Sequence, residues 1–331
     1  MSQADRIAPL EATVANLDAM AHRAARFRSP ALWNDPDQQP LPPLGTPGEM
    51  LASGASLETS MARFADNSPL QRFDRSEPGR VRSLALADTQ PIPADADRVG
   101  YYAGDDLAYW LSGLEDNLRL AQIGRELQRP LTAGQRFLDL GCASGRVLRH
   151  FSSLQPGSDA LGVDLCRQYV AWARRHLHSP VLQGTALPNL PFADASVDVV
   201  FAGSVFTHIN DFEEAWLAEL HRVLAATGFA VLTIHSEDVW EDMRADPQHP
   251  IRFHATEVRQ RLEPLGPDPV TDEMFDREMP AARVALEALD WPDTNVFHSR
   301  AWIRERWGRL WRVERIIERS HGYQDCVVLV P

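Results

Sequence analysis

The sequence predicts an α/β protein built on a doubly wound, mostly parallel sheet, with a mainly helical N-terminal extension and a long insertion near the C-terminal end. Three observations predict it. From Arg136 to Ile234, short apolar runs alternate with segments of helical period, the pattern of a parallel sheet covered by helices. The first of these runs, Phe137-Leu138, leads through Asp139 straight into the glycine-rich turn Gly141-Cys142-Ala143-Ser144-Gly145 and a helix start. At the end, Trp311–Ile317 and Cys326–Val330 flank a turn around Gly322 and read as a hairpin.

The elements follow in order. Ile7, Leu10, Val14, Leu17, Met20 and Ala24 recur at helical spacing and predict an amphipathic helix over 7–27, which packs on the body or pairs two subunits as a homodimer. The Pro-rich stretch Pro30 to Pro47 is a linker or strap. Signals over 50–98 are mixed, with Arg63-Phe64 and Arg72-Phe73 as anchors of short helices. Tyr101 to Leu127 reads as a helix capped by Asp105-Asp106. Strands are expected at 137–140, 160–165, 180–183, 197–202 and 229–234, with helices near 145–154, 167–177 and 211–225. Between His235 and His298 lies an acidic, proline-interrupted insertion, long for a loop, with helices expected at 257–262 and 281–289. This divides the chain into an extension, 1–98, and a domain, 99–331, that carries the insertion 236–297.

Composition narrows the function. With 331 residues, 44% of them hydrophobic, the chain can bury a full core. A net charge of -13 argues against nucleic acid as partner, because phosphate binding needs clustered Lys and Arg. Arg149, Arg167, Arg174 and Arg175 read as solvated helix faces. Cys142, Cys166 and Cys326 show neither metal spacing nor even pairing, and each adjoins an apolar run. That fits packing in a reducing compartment and no metal site. The N-terminus does not read as a signal peptide and no apolar run is long enough to span a bilayer, so a cytoplasmic protein with no membrane partner is expected.

The turn is the most informative feature. Small residues let a backbone approach a ligand, and a helix N-terminus offers unpaired N–H groups. Asp164 ends the second apolar run, about 20 residues beyond the turn, at the distance that suits ribose hydroxyls. The spacing Gly141-x-Ala143-x-Gly145 with Asp139 two places ahead differs from the dinucleotide pattern. It resembles motif I of the class I S-adenosylmethionine (SAM)-dependent methyltransferases. Ala143 replaces the usual middle glycine and is expected to fit at an ordinary backbone φ.

The resemblance implies a Rossmann-like fold whose last strand is antiparallel to the rest, with SAM as cofactor. It implies that Asp139 meets the amino-acid end of SAM, that Gly141, Ala143 and Gly145 pass beside its methionine part, and that Asp164 with Leu165 holds the ribose. Thr185 stands where the family often has an acid, and Thr185 with the Ala186 amide is the expected adenine site. Gly203 and Ser204, at the end of the fourth strand, complete the cofactor residues. The insertion 236–297 is either a substrate lid or a peripheral decoration.

The acceptor is read as a small molecule, because the Asp/Asn-Pro-Pro-aromatic motif of nucleic-acid amino-methylating enzymes is missing from Phe201–His208. O-methylation of a sugar or secondary-metabolite hydroxyl leads; N- or C-methylation and a non-catalytic scaffold of the same fold are the alternatives. A hydroxyl acceptor gains from a base, and three histidines compete for that role: His208 after the fourth strand, His235 after the fifth and His298 at the end of the insertion. Tyr101, Tyr102, Tyr109 and Trp110, just ahead of the turn, are expected to line the acceptor pocket.

Overall fold

The computed structural model describes residues 41–62, 78–98, 101–102, 104–249, 251–252, 277–286 and 294–331. The expected helix 7–27 with its subunit contact, the strap up to residue 40, the Arg63-Phe64 and Arg72-Phe73 anchors and the helix 257–262 lie outside the described residues.

Seven strands form the main sheet: β1 (Arg136–Leu140), β2 (Asp159–Asp164), β3 (Val181–Gln183), β4 (Val197–Ala202), β5 (Leu224–Ile234), β8 (Arg312–His321) and β9 (Gln324–Val330). Their order is β3-β2-β1-β4-β5-β9-β8. The first five run parallel, while β9 is antiparallel to both β5 and β8. The strand order reverses between β1 and β4, and ligands of open α/β sheets bind beyond the strand ends at such a switch point.

The central strands are mostly apolar because helices cover both faces. On one face Leu138, Val200 and Leu232 pack with Trp216, Leu217 and Leu220 of the helix Glu213–Val223. On the other, Phe137, Val199 and Phe229 pack with Phe151 and Trp172, and the rings of Phe137 and Phe151 stack at 4.3 Å. A third cluster joins the extension to the body. Leu51, Leu57, Val81 and Ala85, from three short helices, bury Leu107, Trp110 and Leu111 of the helix Asp106–Glu126. Asp105 starts that long helix by accepting the Ala108 N–H at 2.9 Å.

Three expectations are corrected. Residues 283–286, expected to be helical, form a strand, β6 (Arg283–Leu286), antiparallel to β7 (Asn295–His298). Val284 and Leu286 are buried while Arg283 and Ala285 are half-buried, so a period of two overrides the helical propensity of the alanines. The helix before β5 stops at Val223, and the strand begins at Leu224, where pairing with Val197 captures it. Arg149 is buried rather than solvated. Its guanidinium donates to Asp88 Oδ2 at 2.9 Å, to the Pro91 carbonyl at 3.0 Å and to the Gln90 carbonyl, because the extension covers this helix. Among the described residues no helix is long and apolar enough to cross a membrane.

Candidate active site

The carboxyl ends of β1 and β4 converge on a cavity lined by Asp139, Gly141, Ala143, Arg146, Phe201 and Gly203, and by Arg98, Tyr101 and Tyr109 from the chain ahead of β1. Asp139 is buried, and its Oδ2 has no hydrogen-bond partner. Burial pushes its carboxyl up to about 8, although Arg146 nearby pulls the other way. A buried acceptor left open toward a cavity is the kind of group that a ligand amine satisfies.

Asp164 at the end of β2 works on the chain itself. One carboxylate oxygen accepts the Ala143 N–H at 2.8 Å and the other accepts the Cys166 N–H at 2.7 Å. Each oxygen keeps further acceptor capacity. Burial raises the Asp164 pKa, with the backbone bonds opposing. The expectation of an ordinary φ at Ala143 is corrected: its φ is +46°, a left-handed conformation that alanine adopts at a cost. The bond from Asp164 holds it there.

The two turn glycines also have left-handed φ, +73° at Gly141 and +79° at Gly145. A Cβ at Gly141 would run into Val205 Cγ2 and one at Gly145 into Leu177 Cδ1. Chain–chain contact is therefore a reason for both glycines, besides the ligand approach inferred from sequence.

Ser204, also left-handed at φ +56°, anchors a polar network across the strand ends. Its N–H donates to Thr233 Oγ1 at 2.6 Å, and its hydroxyl meets the Tyr101 hydroxyl at 2.9 Å and Gln324 Nε2 at 2.8 Å. Leu165 offers its carbonyl to Gln183 Nε2 at 2.6 Å. At the end of β3, Thr185 bonds locally to Leu187, and the Ala186 carbonyl accepts the Trp216 indole N–H at 3.1 Å.

Of the four aromatics expected in the pocket, Tyr101 and Tyr109 line the cavity. Tyr102 lies beside Tyr101, and burial pushes its hydroxyl up to about 12. Trp110 does not line the cavity: its indole N–H donates to Asp88 at 2.8 Å and its ring meets His150 edge-on, within the layer shared with the extension.

The three histidines gather beside β7, outside the cavity lining. The Val296 N–H donates to the Thr207 carbonyl and the His298 N–H to the His235 carbonyl, each at 2.8 Å. His208 Nδ1 lies 2.8 Å from the Thr294 carbonyl. A carbonyl only accepts, so Nδ1 carries the proton and Nε2 is the basic nitrogen when the ring is neutral. His235 is buried between Phe297 and Tyr323, and burial holds its pKa well below the usual histidine value. His298 is fully buried with Nε2 at 3.0 Å from Glu213 Oε2. Glu213 also accepts from Arg283 at 2.6 Å and from the Trp307 indole at 2.7 Å. Among the described residues, no group of three or more His, Cys, Asp or Glu is placed to hold a metal ion.

Sequence reasoning missed Arg98 and Arg146 in the cavity and the carboxylates behind them. Arg98 Nε donates to the Pro93 carbonyl at 2.7 Å, and the remaining nitrogens meet Asp95, Asp106 and the Tyr102 carbonyl. Asp95 and Arg98 stand at a local i,i+3 spacing, whereas Asp106 and Asp116 lie too far along the chain from Arg98 and Arg146 for a local pattern to mark them.

Residues 138–232 match a family described as methyltransferase domain. A malonyl-[acyl-carrier protein] O-methyltransferase from Legionella pneumophila is 27% identical over 145 residues, 39% of this chain and 49% of that protein. One from Pectobacterium atrosepticum is 31% identical over 100 residues, 30% of this chain and 38% of that protein. The chain thus spans about half or less of the length of these relatives. The PH0226 protein of Pyrococcus horikoshii is a solved structure that is 18% identical, with a TM-score of 0.41, covering 66% of this chain and 91% of that one.

Sheet order, motif and family match together define a SAM-binding Rossmann-like domain. The sheet order and the match over residues 138–232 are those of a class I SAM-dependent methyltransferase domain, for which SAM is the cofactor. The open Asp139 oxygen and the Asp164-pinned turn fit that cofactor.

Proposed function

We propose that this chain transfers the methyl group of SAM to an oxygen of a small-molecule acceptor. A sugar or secondary-metabolite hydroxyl is one such acceptor; a carboxyl group, suggested by the names of the curated relatives, is the other. The observation that carries the reading is the Tyr101–Ser204–Gln324 network at the end of β4, which borders the cavity that Asp139 enters. SAM brings an activated methyl group on a sulfonium, so the protein mainly aligns the acceptor. Asp139 and the 141–145 turn hold the amino-acid end, Asp164 and Leu165 the ribose, and Thr185 with Ala186 the adenine. Labelled methyl transfer tests the reading: label released by mild alkali marks an ester, alkali-stable label on oxygen a hydroxyl acceptor. Label on nitrogen or carbon contradicts it.

For a hydroxyl acceptor, His208 is the base we propose: it stands beyond the end of β4, outside the cavity lining, so it serves an acceptor that extends from the cavity toward it, and Thr294 fixes its tautomer with Nε2 basic. His208→Ala should then lower turnover on the order of a hundredfold with little change in SAM affinity. The pH–rate profile should lose its ascending limb. Unchanged turnover removes His208 from the chemistry.

Residues 236–297 are proposed as a lid over the acceptor. In support, β7 of this insertion docks on Thr207 and His235, beyond the ends of β4 and β5. Excising most of the insertion should abolish methyl transfer and leave SAM binding largely intact; turnover at the wild-type rate would make it a decoration.

A further inference from the structure

Among the described residues, the cavity holds one cation with donors to spare. Arg146 is only 9% exposed, yet it lines the cavity. Its NH1 is fixed from behind by Asp116 Oδ2 at 2.8 Å and Ser112 Oγ at 3.2 Å. Asp116 is itself held by Arg119 at 2.6 Å and by His321 at 3.1 Å. Against the Tyr101 ring, the Arg146 guanidinium lies 4.9 Å from the centroid, so its plane is set from two sides. Its Nε and NH2 have no acceptor among the described residues and are not sealed from solvent. Arg98, the other guanidinium of the cavity, has every nitrogen engaged.

A rigid fork with two open nitrogens matches a carboxylate, which takes both donors at once. The Asp139 carboxyl in the same cavity, once ionised, would repel a phosphate dianion more strongly than a singly charged carboxylate, and it can pair with an amine carried by the same ligand. We propose that Arg146, oriented by Asp116 and Ser112, is the anchor of a carboxylate bound in this cavity. The proposal rests on the reading of the cavity as the methyl-transfer site. Two molecules of that reaction offer the group: SAM through its own α-carboxylate, or a carboxylate-bearing acceptor.

Calorimetry on the full chain separates them, with wild type, Arg146→Lys and Arg146→Gln compared. Removing Arg146 leaves Asp116 short of a partner, so Asp116→Asn/Arg146→Gln is added to keep the cluster neutral, with thermal unfolding as a check on folding. The probes are S-adenosylhomocysteine, decarboxylated SAM, and malonate titrated into the chain saturated with S-adenosylhomocysteine. If the carboxylate is the cofactor's, both Gln variants lose at least tenfold in S-adenosylhomocysteine affinity and bind decarboxylated SAM as wild type does. If it is the acceptor's, S-adenosylhomocysteine affinity is unchanged, and malonate binding by the loaded wild type is lost in the Gln variants. Arg146→Lys, a charge without the fork, should fall between. The proposal is overturned if the folded Gln variants bind all probes as wild type does, or if they lose decarboxylated SAM as strongly as S-adenosylhomocysteine. A wild type that binds neither nucleoside overturns the methyl-transfer reading and this proposal with it.

Discussion

Replacing Asp164 by alanine should weaken SAM binding tenfold to a hundredfold or more, the loss of about 1.5–3 kcal/mol that accompanies a charged acceptor. Two effects run in the same direction. The ribose loses its expected partner, and the Ala143 N–H loses the oxygen that now holds it at 2.8 Å. The turn then has less to offset its left-handed alanine, a strain of roughly 1–2 kcal/mol. Isothermal calorimetry on folded Asp164→Ala measures the change, and wild-type affinity would remove Asp164 from the cofactor site. Ala143→Gly in the same background should recover part of the loss by relieving that strain.

Glu213→Ala should be the most destabilising single change in the insertion contact, at about 3–5 kcal/mol, because it strips several buried donors of one acceptor. Those donors are His298 at 3.0 Å, Arg283 at 2.6 Å and Trp307 at 2.7 Å. Burial alone would raise the Glu213 pKa, but His298, Arg283 and Trp307 outweigh burial and hold the carboxyl down at about 2, against an ordinary 4.5. A depressed carboxylate contributes its stability above the unfolded value and loses it as pH falls through the folded one. Urea unfolding should therefore show wild-type stability dropping between about pH 4.5 and pH 2, and the drop should shrink in Glu213→Ala. A mutant within 1 kcal/mol of wild type at pH 7 would contradict the assignment.

The sequence carried the sheet and the cofactor turn because both are local patterns. A strand of β1 type is a run of apolar residues, and a turn with three small residues in five announces where the chain must bend. The C-terminal hairpin was equally plain from two apolar runs around Gly322. What stayed hidden depends on partners far away in the chain. Arg146 reads as an ordinary helix-start arginine until Asp116, 30 residues upstream, is seen behind it. Arg149 reads as a solvated face until the extension supplies Asp88. Residues 283–286 read as helix because alanine and leucine favour it, and only pairing with Asn295–His298 makes them a strand. Ala143 shows no sign of its left-handed φ, since the restraint comes from Asp164 across the turn. The link from Gln324 through Ser204 to Tyr101 joins three distant parts of the chain and shows only in the folded protein.

The most direct test is a calorimetric titration of the full chain with SAM and, separately, with NAD. Binding of SAM at one site, with no measurable NAD binding and with S-adenosylhomocysteine competing for the same site, is the expected result. Tight NAD binding with no SAM binding would contradict the central claim that Asp139, the 141–145 turn and Asp164 form a SAM site.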